Sequence, residues 1–272
     1  RSTLFPYTTL FRSTNREHAY ELAKMAVEET GFGVVEDKVF KNHMASGMLY
    51  DYIKDMKTIG IIEEDKSNGT ATVAVPVGLI MGIVPSTNPT STVMFKSIIA
   101  LKSRNPIVFS PHPSAAKCTL RAAELMAEAA LEAGAPENSV ACLKTLSMEA
   151  TDELMHNEFV KLIIATGGPG MVKAAYSAGK PAIGVGAGNS PAYIERTADV
   201  KSAVEKIMAS KTFDNGTVCA SEQSIICEHV NEERVIAELE TQGAYFMSEE
   251  ETTKVCSLLF KNGHTKIGRA HV

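Results

Sequence analysis

Apolar and polar positions alternate along this chain in blocks whose period changes from helical to extended and back. Ala19, Leu22, Ala23 and Ala26 fall on one face of a helix predicted over 15–30, and a second helical stretch covers 37–54. The Val- and Ile-rich stretch 70–85, with scattered glycines, reads as strand structure. A helix over 89–101, a short buried strand at 106–109 and a helix over 114–133 follow, the last stopped by Gly134 and Pro136. The cycle repeats with strand 140–143, helix 148–156, strand 161–165, helix 168–178 and strand 181–185. Short apolar strands alternating with amphipathic helices predict an α/β fold: βαβ units forming a Rossmann-type parallel sheet with helices on both faces. Helix 199–211, strand 221–227 and helices 232–241 and 249–260 come after it, and a domain boundary is expected near residue 212. This divides the chain into a first domain over 14–212 and a shorter piece over 213–265.

Composition narrows the function. With 44% hydrophobic and 22% charged residues the chain can build a substantial core. A net charge of −5 without a long block of like charge excludes a nucleic-acid footprint, so an anionic ligand must be held by local dipoles and a few cations. The cysteines (118, 142, 219, 227 and 256) are odd in number and form no CxxC pair, which points to reduced thiols in a cytoplasmic setting. No metal site is expected. The most apolar stretch, 73–85, is interrupted by Pro76, Gly78 and Gly82 and is too short to span a bilayer, so no membrane association is expected. Residues 1–13 and 266–272 resemble translated sequencing-adapter sequence and read as non-native tails around a piece of a longer protein. The signatures HExxH, GxSxG and GxxxxGK[ST] do not occur.

Five segments can carry chemistry. In Phe213-Asp-Asn-Gly-Thr-Val-Cys219-Ala-Ser-Glu-Gln a cysteine stands behind a glycine-containing turn and ahead of a strand. Backbone N–H groups at such a turn favour a thiolate and later an oxyanion, although a lone cysteine also serves as a small core residue. Ile83-Val84-Pro85-Ser86-Thr87-Asn88 ends a strand in a polar turn, where Ser86, Thr87 and Asn88 either face a phosphate or substrate oxygen or cap the next helix. Thr166-Gly167-Gly168-Pro-Gly170-Met171 lets a backbone approach a dinucleotide at a helix N-terminus, or is a plain tight turn; the glycine-rich run containing Gly186 has the same two readings. Ser110-Pro-His112-Pro can touch a ribose, or leave a solvated loop histidine.

Taken together and in this order, the segments resemble the aldehyde dehydrogenase superfamily, and more closely its CoA-acylating branch, over about residues 19–259. The resemblance implies an aldehyde dehydrogenase-like fold with NAD as cofactor and coenzyme A as co-substrate. It implies NAD contacts from Ile83 to Asn88 and from Ser110, His112, Thr166, Gly167, Gly168, Gly170, Met171 and Gly186. It makes Cys219 the nucleophile that attacks a short-chain aldehyde, with Asn88 and the Cys219 backbone N–H holding the oxyanion. It further implies an NAD-dependent oxidoreductase, a thioester on Cys219 and a homo-oligomeric parent protein. Hydrolytic relatives place a glutamate just before the glycines at 186–188. Here 182–189 reads Ala-Ile-Gly-Val-Gly-Ala-Gly-Asn, so no carboxylate stands ready to activate water, and a thiol such as CoA is expected to resolve the thioester. The alternatives are a hydrolytic dehydrogenase that releases a carboxylate, and a nucleotide-binding fragment without activity.

Overall fold

The computed structural model describes residues 5–186, 188–261 and 264–265, and the predicted C-terminal tail at 266–272 lies outside them. The described residues form two compact units, one built from residues up to 31 and from 35–186, the other from 32–34 and the residues after 186.

The first unit opens with α1 (Phe5–Thr30) and α2 (Val35–His43), which runs through a wide turn into α3 (Leu49–Ile53). Helix α1 begins ten residues before the predicted start, with Pro6 in its first turn, where a missing N–H leaves no intrahelical bond unmade. An exposed antiparallel hairpin of β1 (Gly60–Asp65) and β2 (Thr70–Ala74) follows. The alternating part comprises β3 (Leu79–Ile83), α4 (Pro89–Lys102), β4 (Ile107–Ser110), α5 (Ala116–Glu132), β5 (Val140–Cys142), α6 (Met148–His156), β6 (Val160–Thr166), α7 (Pro169–Ser177) and β7 (Ala182–Val185).

These five strands make one parallel sheet in the order β5-β4-β3-β6-β7. The winding direction reverses between β3 and β6, and a parallel α/β sheet forms its ligand crevice at the carboxyl ends of the strands where that reversal occurs. Central strand β3 is buried on both faces, as its apolar run requires. Ile80 joins the cluster with Val93 and Ile98 of α4 and Met126 of α5, while Met81 joins Met155 of α6, Ile163 of β6 and Ala175 of α7. Gly82 makes the layers fit, because a Cβ there would come within 2.8 Å of the Phe109 ring.

Lys96 is one of the polar residues buried in this unit. It is 2% exposed on α4, and its Nζ donates to the carbonyls of Ile83 (2.7 Å) and Ile164 (2.8 Å), tying β3 to β6 beneath the reversal point. No carboxylate among the described residues pairs with it, and burial pushes its ammonium down from 10.5 to about 7. A neutral amine still carries two N–H groups, enough for both carbonyls. Between pH 7 and the ordinary lysine range the unfolded chain therefore binds the extra proton, so stability rises with pH. Burial raises the Cys118 and Cys142 thiols, Cys142 to about 12, which reverses the trend once unfolded thiols ionise near pH 9. Chemical denaturation should accordingly show stability climbing from about pH 7 to about 9, and Lys96→Met should flatten that rise. An unchanged slope in the variant would contradict this account of Lys96.

The second unit contains β8 (Ser190–Ile194), α8 (Val200–Thr212), β9 (Glu222–Cys227), α9 (Glu232–Thr241) and α10 (Glu249–Leu259). Strands β8 and β9 pair in parallel around α8, and Ile194, Val200, Val204, Val235 and Leu239 form their own core. The change of unit thus falls after Gly186, whereas the sequence pattern predicts it near residue 212. The reason is the pairing of β8 with β9, which draws β8 and α8 out of the first sheet. Strand β8 is absent from the predicted elements because Pro191 interrupts its short apolar pattern. No helix among the described residues is long and apolar enough to cross a membrane.

Candidate active site

The turn after β3 is held by polar side chains of α2. Ile83 and Val84 are buried, and the chain then bends through Pro85–Asn88 into α4. Asn88 occupies the N-cap position, yet its side chain makes no capping hydrogen bond. Its Oδ1 instead accepts from Lys41 Nζ at 2.7 Å, and its Nδ2 lies 3.2 Å from Thr87 Oγ1. Lys38, 3% exposed, donates from Nζ to the Thr87 carbonyl at 2.9 Å. A simple N-cap role for Asn88 is therefore not what the geometry presents.

Beside this turn, the carboxyl ends of β3, β4 and β6 form an open cleft. Of the predicted cofactor residues, Ile83, Val84, Pro85, Ser110, His112, Thr166, Gly167, Gly168 and Met171 line it. Ser86, Thr87, Asn88, Gly170 and Gly186 do not stand on its wall. Pro111 and Pro113 line it too, and the sequence pattern missed Leu146, Ser147, Met148 and Thr151, which add a wall around the start of α6. Their signal was available: Ser147 caps α6, accepting from Ala150 N at 3.0 Å, directly after a strand that ends on the same side of the sheet. Ser110 Oγ and Thr151 Oγ1 are 3.0 Å apart, which joins β4 to α6 across the floor. His112 caps the short 3₁₀ turn Pro113–Ala115, its Nδ1 accepting from Ser114 N at 3.2 Å, and burial lowers its pKa, so the ring is neutral near pH 7.

The cleft suits a dinucleotide. Its walls are mainly apolar, and Gly168 at the N-cap of α7 has no side chain to occupy the first-turn N–H groups. A Cβ at Gly168 would meet open space, so backbone there is accessible to a phosphate.

Cys219 belongs to the second unit and lies half-buried in the loop between α8 and β9. Asp214, Asn215 and Gly216 ahead of it all adopt left-handed backbone, with φ of 51°, 53° and 69°. Two consecutive non-glycine residues in that region are strained and persist only where surrounding bonds enforce them. Asp214 supplies the bonds. It is fully buried, its Oδ1 accepts from Val34 N at 2.7 Å, and its Oδ2 accepts from Thr217 Oγ1. Thr217 N also donates to the Asp214 carbonyl at 3.1 Å, closing the turn. On the other side of the loop, a Cβ at Gly188 would overlap the Cys219 carbonyl oxygen, so only glycine lets the two backbones meet. Glu222, at the start of β9, has its Oε2 buried without a hydrogen-bond partner among the described residues.

Comparison with known proteins places this arrangement. Over 242 residues the chain is 53% identical to the bifunctional aldehyde-alcohol dehydrogenase AdhE of Escherichia coli, a match that covers 89% of this chain and 27% of that protein. An acetylating aldehyde dehydrogenase from Geobacillus thermoglucosidasius superposes with a TM-score of 0.92 at 55% identity, covering 97% of this chain and 58% of that one. A Rhodopseudomonas palustris propionaldehyde dehydrogenase, solved with bound CoA and an acylated cysteine, superposes with a TM-score of 0.85 at 34% identity, covering 96% and 60% respectively. The profile of the Aldehyde dehydrogenase family matches residues 9–261, and the chain belongs to that family.

Proposed function

We propose that this chain is the NAD-binding and nucleophile-bearing segment of a CoA-acylating aldehyde dehydrogenase. In this reading Cys219 takes up a short-chain aldehyde such as acetaldehyde and passes the acyl group to coenzyme A. The observation that carries the acylating assignment is Val185, which stands half-exposed at the end of β7 where hydrolytic members of the family place a glutamate. Similarity to an acetylating aldehyde dehydrogenase, and to a propionaldehyde dehydrogenase solved with CoA and an acylated cysteine, supports the same reading.

The chemistry follows from the residues. The Cys219 sulfur attacks the aldehyde carbon, forming a C–S bond and moving the carbonyl π electrons onto oxygen. The family resemblance assigns the Asn88 Nδ2–H and the Cys219 backbone N–H as donors to that oxyanion. NAD, when bound, supplies the acceptor for the hydride that leaves the same carbon, and the acyl group remains as a thioester on Cys219. Ser110, His112, Thr166 and the backbone from Gly167 into α7 would hold the cofactor, with neutral His112 offering Nε2–H to a ribose or phosphate oxygen. The CoA thiol adds to the thioester carbon and Cys219 leaves as thiolate, which restores the starting protein. The steps run in reverse from acyl-CoA. The five unpaired thiols fit a reducing, cytoplasmic setting, and the full-length protein is expected to be a homo-oligomer.

One observation favours a second reading. The orphaned oxygen of Glu222 belongs to a carboxylate three residues from Cys219, and a carboxylate with an open acceptor can serve as a base for water. A single experiment separates the two. In a protein of the relatives' full length carrying this segment, NADH formation from acetaldehyde should require CoA and yield acetyl-CoA. Sustained NADH formation with acetate as product and no CoA would replace the acylating reading with the hydrolytic one, and no turnover under either condition would contradict both.

A further inference from the structure

We propose that Lys41 is a positioning residue for the acylation step, holding the Asn88 amide so that its N–H end, and not its carbonyl oxygen, is presented to the oxyanion. The inference rests on the reading of Asn88 as oxyanion donor. The two ends of an asparagine amide have nearly the same shape, and a half-turn of the terminal torsion exchanges donor for acceptor. In the wrong orientation a carbonyl dipole would face a developing negative charge and raise the barrier. A lysine ammonium has three donors and no acceptor, so at 2.7 Å it can bind only the oxygen end. That contact fixes Nδ2 on the opposite side of the amide. The positive charge also polarises the amide it binds, which makes Nδ2–H a stronger donor.

Two further observations separate this contact from an ordinary surface hydrogen bond. Asparagine is among the best N-cap residues, and Asn88 sits at the N-cap of α4, yet its side chain is directed to Lys41 and the cap is left unmade. The contact also belongs to a set. Lys38, Lys41 and Asn42 follow helical spacing on one face of α2, where they reach the Thr87 carbonyl, the Asn88 Oδ1 and the Thr90 hydroxyl in turn. Asn42 is itself anchored by Nδ2 to the Ala19 carbonyl of α1 at 3.0 Å. One helix face thus fixes the turn in succession, and Lys41 is the member of that face aimed at the side chain that does the chemistry.

Steady-state kinetics on four variants of the full-length enzyme carrying this segment test the proposal: Lys41→Met, Lys41→Arg, Asn88→Ala and the double Lys41→Met/Asn88→Ala. Lys41→Met should lower kcat by about 10- to 100-fold, the range for losing a charged hydrogen bond, with KM for NAD and the thermal midpoint little changed. Lys41→Arg, which still donates only, should recover most of that loss. Once Asn88 is alanine there is no amide to orient, so the double variant should be no slower than Asn88→Ala alone. A Lys41→Met enzyme within about twofold of wild type, or a double variant as slow as the product of the single effects, would overturn the proposal. A Lys41→Met protein that melts early and is not rescued by arginine would make Lys41 structural and overturn it equally. If Asn88→Ala itself runs at the wild-type rate, the assignment of Asn88 fails first, a result distinguishable from failure of the Lys41 role alone.

Discussion

Replacing Cys219 with serine is expected to lower CoA-dependent aldehyde oxidation by roughly 10⁴–10⁶ while leaving NAD binding largely in place, the scale seen when a covalent nucleophile is removed from an otherwise intact site. The asymmetry between the two readouts matters. Every residue lining the cleft proposed for the dinucleotide belongs to the first unit, on β3, β4, β6, their following turns and the start of α6, whereas Cys219 belongs to the second. Loss of sulfur should leave the cleft unaltered. A serine hydroxyl ionises far less readily than a thiol, and an ester would resist attack by CoA far more than a thioester does. The loop should tolerate the exchange, because its shape is set by Asp214, Thr217 and the left-handed turn rather than by the Cys219 side chain. NADH formation with acetaldehyde and CoA, measured beside an NAD titration, gives both values. Turnover retained within tenfold would take Cys219 out of the mechanism.

The second large effect is expected at Asn88. On the proposed reading, substitution by alanine removes one oxyanion donor and should lower kcat by about 10²–10³. Its effect on folding should be small, since the side chain makes no cap to lose and α4 keeps its first backbone bond, from Thr92 N to the Asn88 carbonyl. A loss of stability with kcat unchanged would instead restore the helix-cap interpretation.

The fold was legible where the sequence pattern was strong. The six elements from β4 to α7 stand within a residue or two of their predicted bounds, because each short apolar strand is bounded by turn residues and each helix carries a one-sided apolar stripe. Hairpin β1–β2 was only half seen: 60–65 alternates weakly and remains exposed, so no burial pattern marks it. Strand β8 and the early change of unit were missed because a parallel partner thirty residues away leaves no local signal. The site divided in the same way. Segments rich in glycine, proline and small polar residues mark themselves, and most of the cleft was found through them. Lys38, Lys41 and Asn42 look like an ordinary solvated helix face in the sequence. Only the docking of α2 onto the 87–90 turn shows that this face is polar because it binds backbone and amide groups. Lys96 was likewise hidden, since a lysine within an apolar helix does not announce that two strand carbonyls await it.

Mass spectrometry of the full-length enzyme bearing this segment, incubated with acetaldehyde and NAD in the absence of CoA, tests the central claim most directly. An acetyl group on the peptide containing Cys219, discharged on addition of CoA and absent from Cys219→Ser, is the predicted result. Steady formation of NADH and acetyl-CoA with no acyl mass ever captured on that sulfur would contradict it.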